Sequence, residues 1–232
     1  MSRQVVILAA GMGTRLGRPF PKPLTELSGG HSIMFQQISK LREAMPGIRI
    51  TVVVGFKRDL IMEAFPDVLF AYNELYDQTN TSKSLLRALE LSAEGGVLWL
   101  NGDVVFHVGI LERVIPLMEQ DSSFVCVNTA AVGDEEVKYT VDESGNIRDL
   151  SKRVTDPLGE AIGINFVSAK QKAMLISALR DVDDNDYFER GIEVAVAEDN
   201  AQFQPVDISD LYAVEVDFEE DLTRAKKFVD ES

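Results

Sequence analysis

The chain has 232 residues, 45% hydrophobic and 26% charged, which is typical of a folded globular protein and excludes disorder as its main state. A net charge of −15 argues against a nucleic acid or an anionic membrane surface as its partner. The single cysteine, Cys126, excludes an internal disulfide and a cysteine zinc cluster. The apolar run at residues 5–10 is too short for a signal-peptide core or a membrane span, so we expect a cytoplasmic enzyme.

Apolar runs alternate with helical patterns over the first half of the chain. Strands are predicted at residues 4–10, 48–54, 68–72 and 97–100, and helices at 31–45, 59–65, 82–93 and 108–118. This alternation is typical of βαβ units, so the sequence predicts an α/β fold with a mostly parallel sheet.

The pattern changes after residue 120. A hairpin is predicted from residues 137–141 and 147–151, joined by Asp142-Glu143-Ser144-Gly145-Asn146. The other elements predicted here are strands at 123–130, 161–168, 203–206 and 212–216 and helices at 170–179, 187–197 and 218–229. No repeat or linker interrupts the chain, so we expect a single domain over residues 1–232.

A glycine-rich loop follows the first predicted strand, with the sequence Leu8-Ala9-Ala10-Gly11-Met12-Gly13-Thr14-Arg15-Leu16-Gly17. Its glycines let backbone N–H groups approach an anion, and Arg15 adds a cationic fork that suits phosphate. Lys22 follows between two prolines, which stiffen the backbone that positions this cation. The spacing matches neither the dinucleotide fingerprint nor the Walker A loop. The loop therefore predicts a phosphate site of another kind.

The glycine loop and Pro21-Lys22-Pro23-Leu24 together resemble the signature of nucleotidyltransferases that activate sugar phosphates and related phosphorylated alcohols. Later segments are most similar to the phosphocholine and phosphonate cytidylyltransferase branch. They are Asn101-Gly102-Asp103-Val104-Val105-Phe106, Glu135-Glu136-Val137-Lys138, Gly159-Glu160-Ala161-Ile162-Gly163-Ile164 and Glu215-Val216-Asp217. The resemblance implies a Rossmann-like α/β domain with helices flanking the central sheet and a small β-rich insertion for the acceptor. Its NTP-binding half would be about residues 1–120 and its acceptor half about 121–232.

The resemblance also implies the reaction. A nucleoside monophosphate would pass from an NTP to a phosphorylated or phosphonate small-molecule acceptor, with Mg²⁺ as cofactor and release of pyrophosphate. By resemblance to the branch, CTP is the first choice of nucleotide and UTP the second. The acceptor stays open among phosphocholine, phosphoethanolamine, 2-aminoethylphosphonate, inositol phosphate, a polyol phosphate and a hexose 1-phosphate. The oligomeric state is open too, and a homo-oligomer is compatible with the sequence.

Asp103 and Asp217 are the candidate metal ligands. Asp103 follows the fourth predicted strand, and ligands of open parallel sheets bind beyond the carboxyl ends of the strands. A carboxylate there can hold Mg²⁺ against nucleotide phosphates. The family pattern places a second metal carboxylate at Asp217, for which a helix N-cap is the alternative. Glu215 is expected to point the opposite way.

The resemblance assigns the remaining site residues. Lys22 should meet the α-phosphate and Arg15 the leaving β- and γ-phosphates, which with Asp103 makes them the candidate catalytic residues. The nucleotide-binding residues expected in addition are Leu8, Ala9, Ala10, Gly11, Gly13, Thr14, Asn80 and Ser84, of which the last two have helix capping as their alternative. The acceptor-binding residues expected are Lys138 and Lys152 for its phosphate and Glu160, Glu189 and Tyr187, with Tyr139, for an amine or quaternary ammonium. A hydroxyl-rich acceptor would also use Glu160. The alternative is exposed charge for the lysines and glutamates and half-buried packing for the tyrosines.

Three other interpretations stay open. One is a UTP-dependent sugar-1-phosphate uridylyltransferase. A metal-dependent glycosyltransferase of similar topology usually has an Asp-x-Asp motif, where this chain has Asn101-Gly102-Asp103. A non-catalytic nucleotide-sensing module would be expected to lose Lys22, Asp103 or Asp217, and all three are present.

Overall fold

The secondary structure follows the predicted order of elements, and the computed structural model describes residues 4–130, 132–133 and 136–231. The strands are β1 (Gln4–Ala9), β2 (Arg49–Val54), β3 (Leu69–Tyr72), β4 (Val97–Asn101), β5 (Val104–Phe106), β6 (Phe124–Asn128), β7 (Lys138–Val141), β8 (Ile147–Ser151), β9 (Gly159–Val167), β10 (Gln204–Asp207) and β11 (Ala213–Glu215). The α-helices are α1 (Ile33–Ala44), α2 (Arg58–Ala64), α3 (Thr81–Leu91), α4 (Gly109–Glu119), α5 (Lys172–Asp181), α6 (Phe188–Asp199) and α7 (Glu219–Glu231). Each predicted element is present to within two residues at either end, and β5 is added.

The central sheet has the strand order β10-β6-β9-β4-β1-β2-β3. Neighbours in this order are parallel, except that β9 runs antiparallel to both β4 and β6. The predicted hairpin is formed by β7 and β8, and β7 also pairs with β9. The prediction of a mostly parallel sheet is therefore confirmed.

Each face of the sheet carries a layer of helices. Val5 and Ile7 of β1 point into a core shared with α1, α2 and α4, whereas Val6 and Leu8 point into a core shared with α3, α5 and α6. This alternation along the strand explains why β1 is apolar at both odd and even positions. Cys126 is buried in the first core, and burial raises the pKa of its thiol, which fits a packing role.

A two-stranded antiparallel ribbon, β5 with β11, stands apart from the main sheet. A third core that includes Val105, Val216 and Leu222 of α7 holds it in place. Asp103 precedes β5 and Asp217 follows β11, and the Val216 N–H donates to the Asp103 carbonyl at 3.0 Å. The ribbon therefore brings together two carboxylates from distant parts of the chain. In the part of the chain that the structure describes, no helix has the length and apolarity needed to cross a membrane.

Leu85 of α3 tests the packing of the second core. It is 0% exposed, and we expect Leu85→Ala to lower the free energy of unfolding by about 2–5 kcal/mol because it removes buried methyl groups and leaves a cavity. The matched control is Leu91→Ala on the same helix, where the side chain is 67% exposed, and a change below about 0.5 kcal/mol is expected. Urea unfolding followed by circular dichroism measures both, and equal losses would contradict this packing.

Candidate active site

A cavity of about 470 Å³ opens beyond the carboxyl ends of β1 and β4. Ligands of open α/β sheets bind at this edge, and the volume suits a small molecule. The predicted site residues that line it are Leu8, Ala9, Gly11, Gly13, Thr14, Arg15, Lys22, Asn80, Asp103, Lys152, Tyr187, Glu189 and Asp217. The fold thus brings together residues from both halves of the chain.

The glycine loop folds against Lys22. Gly13 and Gly17 flank a short 3₁₀ turn and have left-handed backbone, with φ of 60° and 63°, which favours glycine. A Cβ on Gly13 would lie 3.0 Å from the Cβ of Lys22. This close approach places Arg15 and Lys22 on the same cavity.

The Pro-Lys-Pro segment fixes the direction of the Lys22 side chain. Lys22 starts a 3₁₀ turn between two buried prolines, and its carbonyl accepts the Thr25 N–H at 2.9 Å. The prolines fix φ on either side of the lysine. The side chain of Lys22 is only 11% exposed.

Four charged side chains meet at the floor of the cavity. Lys22 Nζ donates to Asp103 Oδ2 at 2.8 Å and to Asp217 Oδ1 at 2.5 Å, and Arg15 Nη1 donates to Asp217 Oδ2 at 2.6 Å. Burial alone would lower the pKa of Lys22, but the two carboxylates more than offset it and raise that pKa. Burial alone would raise the pKa of Asp217, but Lys22 and Arg15 hold it below its usual range. Lys22 and Asp217 are therefore charged near neutral pH.

The carboxylate of Asp217 does not cap α7. Asp221, in the first turn of α7, accepts the N–H groups of Asp217 at 3.0 Å and Phe218 at 2.7 Å through its Oδ2. The carboxylate of Asp217 faces Lys22 and Arg15 instead. Both carboxylate oxygens of Asp217 thus accept from cations of the cavity, which favours the metal-ligand interpretation over the N-cap alternative.

Asp103 and Asp217 fit a divalent cation. A cation, the Lys22 ammonium, already contacts both carboxylates, and Asp103 Oδ1 is buried with no hydrogen-bond partner among the described residues. Within residues 4–130, 132–133 and 136–231, no three His, Cys, Asp or Glu side chains are grouped as a metal site. Two protein carboxylates with phosphate oxygens and waters are a usual ligand set for Mg²⁺.

The turn at Asn101-Gly102-Asp103, before β5, lies so close to β1 that it requires glycine at position 102. Its N–H donates to the Leu8 carbonyl at 2.9 Å, and a Cβ at this position would lie 2.6 Å from the same oxygen. Only glycine allows the turn to pass this close to β1. The turn thereby places Asp103 beside the glycine loop.

The far end of the cavity combines carboxylates with an aromatic ring. Glu189, in the first turn of α6, is 8% exposed, and its Oε2 has no hydrogen-bond partner in the described part of the chain. Burial raises the pKa of Glu189 to about 7. Lys152 Nζ lies 5.4 Å from the centroid of the Tyr187 ring, and Glu136 also lines this end. Burial, with the nearby charges of Glu160 and Asp217, raises the pKa of Glu136.

Glu215 does not point away from the site. It lines the same cavity as Asp217, as expected for side chains two positions apart on an extended segment, which point to the same side. Burial and the charges of Asp103, Glu136 and Glu189 raise the pKa of Glu215 well above its usual value. The expectation about its direction was wrong.

Some predicted site residues lie outside the cavity lining, namely Ala10, Ser84, Lys138 and Glu160. Ser84 Oγ accepts from Asn73 Nδ2 at 3.0 Å in the interior, and Glu160 Oε2 accepts the Gly133 N–H at 2.8 Å. Lys138 stands opposite Glu160 in the β7–β9 register. Tyr139 is 4% exposed and belongs to the second core. Glu135, part of one resembling segment, lies outside the described residues.

Asn80 both lines the cavity and caps α3. Its Oδ1 accepts the Thr81 N–H at 2.9 Å, and its Nδ2 donates to the Asn185 carbonyl at 3.2 Å. Lining residues that the sequence analysis did not assign to the site include Tyr76, Asp77, Gln78, Thr79, Asn185, Phe188 and Glu136. Residues 76–79 follow the carboxyl end of β3. Ligands of open parallel sheets bind beyond these ends, so the argument that identified Asp103 also applies to residues 76–79.

Residues 5–213 match the family model of the MobA-like NTP transferase domain. The chain belongs to this family. The matched range starts in β1 and reaches β11, so it includes the glycine loop, Lys22 and Asp103 of this nucleotidyltransferase domain.

Curated relatives match parts of the chain. It is 32% identical over 132 residues to bifunctional protein GlmU from Acaryochloris marina. The aligned region covers 54% of this chain and 28% of that protein. It is 35% identical over 121 residues to CMP-5'-(3-aminopropyl)phosphonate synthase from Streptomyces rubellomurinus, which covers 48% of this chain and 19% of that protein. The chain therefore spans less than a third of the length of either relative.

Solved structures match over nearly the whole chain. CTP:phosphocholine cytidylyltransferase from Streptococcus pneumoniae aligns with a TM-score of 0.76 at 19% identity, over 99% of this chain and 100% of that one. Inositol-1-phosphate CTP transferase from T. maritima aligns with a TM-score of 0.78 at 18% identity, over 97% of each chain. These likenesses show a shared fold. The predicted family and fold class are confirmed.

Proposed function

We propose that the protein transfers CMP from CTP to a phosphorylated or phosphonate small molecule that carries an amine or quaternary ammonium group, with release of pyrophosphate. The observation that carries the proposal is the cluster of Lys22, Asp103 and Asp217, joined by one shared ammonium at 2.8 and 2.5 Å. Such a cluster offers cations to phosphates and carboxylates to Mg²⁺ in one cavity. The choice of CTP follows relatives whose names contain CTP or CMP.

In the proposed reaction, an oxygen of the acceptor phosphate or phosphonate attacks the α-phosphorus in line. A new P–O bond forms there, the bond to the bridging α–β oxygen breaks, and pyrophosphate leaves with the electron pair. The attacking oxygen is already anionic near neutral pH, so no general base is needed. Lys22 would neutralise charge at the α-phosphate, and Arg15 would hold the leaving phosphates.

Asp103 and Asp217 would hold Mg²⁺ in the proposed complex. The metal would neutralise phosphate charge and orient the nucleotide. The carboxylates must first be released from the Lys22 ammonium, which contacts both of them in the free protein. Nucleotide phosphates offer Lys22 and Arg15 an alternative anionic partner.

The far end of the cavity supports a cationic acceptor. Glu189 offers a buried carboxylate oxygen without a partner in the described chain, and Tyr187 offers an aromatic face. Lys152 already places an ammonium group on that ring, which indicates that the subsite tolerates a cation. In this proposal residues 1–120 bind the nucleotide and residues 121–232 the acceptor. Lys138 and Glu160, which do not line the cavity, could serve the acceptor only after a rearrangement.

Pyrophosphate release tests the proposal. The purified protein with Mg²⁺ is assayed with CTP, UTP, ATP and GTP against phosphocholine, phosphoethanolamine, 2-aminoethylphosphonate, inositol phosphate, a polyol phosphate and glucose 1-phosphate. Release with CTP and an amine-bearing acceptor is the expected result. Release only with UTP and a sugar 1-phosphate would replace the proposal by the uridylyltransferase alternative. Tight CTP binding without release from any acceptor would favour a nucleotide-sensing module.

Glu189→Gln is expected to raise KM for the amine acceptor by about 10-fold or more, because it removes a charge-assisted contact. The KM for CTP should change little. Glu198→Gln on the exposed face of the same helix is the matched control. Steady-state pyrophosphate assays with each substrate varied in turn measure the effect. An unchanged acceptor KM would remove Glu189 from the acceptor site.

The same variant tests the protonation of Glu189. Its pKa of about 7 in the folded protein lies above the ordinary value of 4.5. Between pH 4.5 and pH 7 the carboxyl group is therefore protonated in the folded state and ionised in the unfolded state. Stability from this group is therefore lost as pH rises from 4.5 to 7. Relative to Glu189→Gln, the wild type should lose about 2–3 kcal/mol of unfolding free energy between pH 5 and pH 8. Urea titrations at both pH values measure the difference.

A further inference from the structure

Glu215 lies at the point where three strands of the site converge. Its Oε1 accepts two hydrogen bonds, from Asn101 Nδ2 at 3.1 Å and from the Gly163 N–H at 3.1 Å. Asn101 ends β4, Gly163 lies within β9, and Glu215 ends β11. One carboxylate oxygen therefore joins β11 to both β4 and β9.

The hydrogen-bonded junction of Asn101, Gly163 and Glu215 is tightly packed around Gly163. A Cβ at this position would lie 2.5 Å from Asn101 Nδ2 and 2.7 Å from Glu215 Oε1. No side chain fits there unless the junction opens. Gln37 supports the junction from α1, since its Nε2 donates to the carbonyls of Asn101 at 2.9 Å and Val104 at 2.8 Å.

The junction adjoins both candidate metal ligands. Asp103 follows Asn101 by two residues, and Asp217 follows Glu215 by two residues. Glu215 also stands opposite Val104 in the ribbon, and the Asp103 carbonyl accepts the Val216 N–H at 3.0 Å. A shift of β11 relative to β4 would therefore change the separation of the two carboxylates.

We propose that Glu215 is a positioning residue, which sets the separation of Asp103 and Asp217 by accepting hydrogen bonds from Asn101 and Gly163. This rests on the proposed nucleotidyl transfer at the same site. Because β9 also carries Ala161 on the cavity wall, the junction sets the position of that wall relative to the two aspartates. A misplacement of about 1 Å can cost on the order of 100-fold in rate.

The test compares Glu215→Leu with Glu215→Gln. Leucine fills similar space without an acceptor, whereas the glutamine amide oxygen can accept both hydrogen bonds. We expect Glu215→Leu to fold, to lower kcat by about 10- to 100-fold with a smaller change in the KM for CTP, and to weaken Mn²⁺ binding in the presence of CTP by about 10-fold. Glu215→Gln should stay within about 3-fold of wild type in each, as expected when the hydrogen bonds are kept.

Gln4→Leu is the matched control. Gln4 is a buried side chain at the opposite end of the sheet, where its Oε1 accepts the Ala93 N–H at 3.0 Å. The control removes a similar buried hydrogen bond, so it should lower the unfolding midpoint and leave kcat and Mn²⁺ binding unchanged. Mn²⁺ binding is measured by electron paramagnetic resonance with α,β-methylene CTP, which cannot react.

Two outcomes would overturn the proposal. Wild-type kcat and Mn²⁺ affinity in folded Glu215→Leu would show that the junction does not position the aspartates. A loss in Glu215→Gln as large as in Glu215→Leu would show that the carboxyl group of Glu215 acts by another route than these two hydrogen bonds. A wild type that binds Mn²⁺ with the CTP analogue but never releases pyrophosphate would contradict the proposed function alone, since the binding comparison would still decide the role of Glu215.

Discussion

Lys22→Met should lower kcat for pyrophosphate release by about 100-fold or more, the usual effect of removing one preorganised electrostatic stabiliser. Lys22 stands between two prolines in the chain, and its ammonium contacts the carboxylates at the floor of the cavity. Methionine keeps the length and apolar stem of the side chain and removes only the charge. Stopped-time pyrophosphate assays at saturating CTP and acceptor measure the change, with Lys226→Met on the exposed face of α7 as the control.

The same variant has a second expected effect of opposite sign. Without nucleotide, the wild type should bind Mn²⁺ weakly, because the Lys22 ammonium contacts both Asp103 and Asp217. Lys22→Met removes this competing cation, so Mn²⁺ should bind the free protein more tightly than it binds wild type. Paramagnetic resonance titrations show this directly. Weaker Mn²⁺ binding in the variant, or a near-normal kcat, would refute the role given to Lys22.

Asp103→Asn and Asp217→Asn should each lower kcat by about 100-fold or more, because each removes charge that would hold the metal against the phosphates. Each should also abolish the tight Mn²⁺ binding expected in the presence of CTP. The control is Asp210→Asn, whose carboxylate forms a surface ion pair with Arg113. Addition of EDTA to wild type should stop turnover, and excess Mg²⁺ should restore it.

These two variants differ in one informative respect. Asp217 contacts both Arg15 and Lys22, whereas Asp103 contacts Lys22 alone among the ion pairs of the described residues. Asp217→Asn removes a carboxylate that contacts both cations, so it should raise affinity for CTP in the absence of metal, while Asp103→Asn should raise it less. Nucleotide binding measured calorimetrically in EDTA tests this order. Full activity in either variant would exclude that aspartate as a metal ligand.

Strand and helix positions could be predicted because apolar residues repeat with the period of each element. β1, buried on both faces, and α3, with Leu85 and Leu89 on its buried side, are examples. β5 was missed because it has only three residues between the Asp103 turn and His107. Its residues Val104, Val105 and Phe106 are all apolar and show no alternation, and its place beside β11 depends on tertiary packing.

The candidate site was predictable where a local motif fixes its geometry. The glycine loop and the Pro-Lys-Pro segment carry that geometry in their own backbone, so Arg15 and Lys22 were found from sequence. Ser84 and Phe188 show the limit. Ser84 faces the interior with Leu85, whereas Phe188, which was not assigned to the site, lines the cavity and donates its N–H to Thr81 Oγ1 at 3.1 Å. That contact between α3 and α6 leaves no trace in either segment of sequence.

The packing of Trp99 gives the protein an internal optical reporter. Trp99 is the single tryptophan of the chain, is 0% exposed, and has no hydrogen-bond partner for its Nε1 among the described residues. Its ring meets that of Phe188 edge to face, with centroids 5.6 Å apart and planes at 88°. Because Phe188 also lines the cavity next to Tyr187 and Glu189, any movement of that wall changes the surroundings of the only indole. We therefore expect tryptophan fluorescence to report the binding of the proposed acceptor without a label.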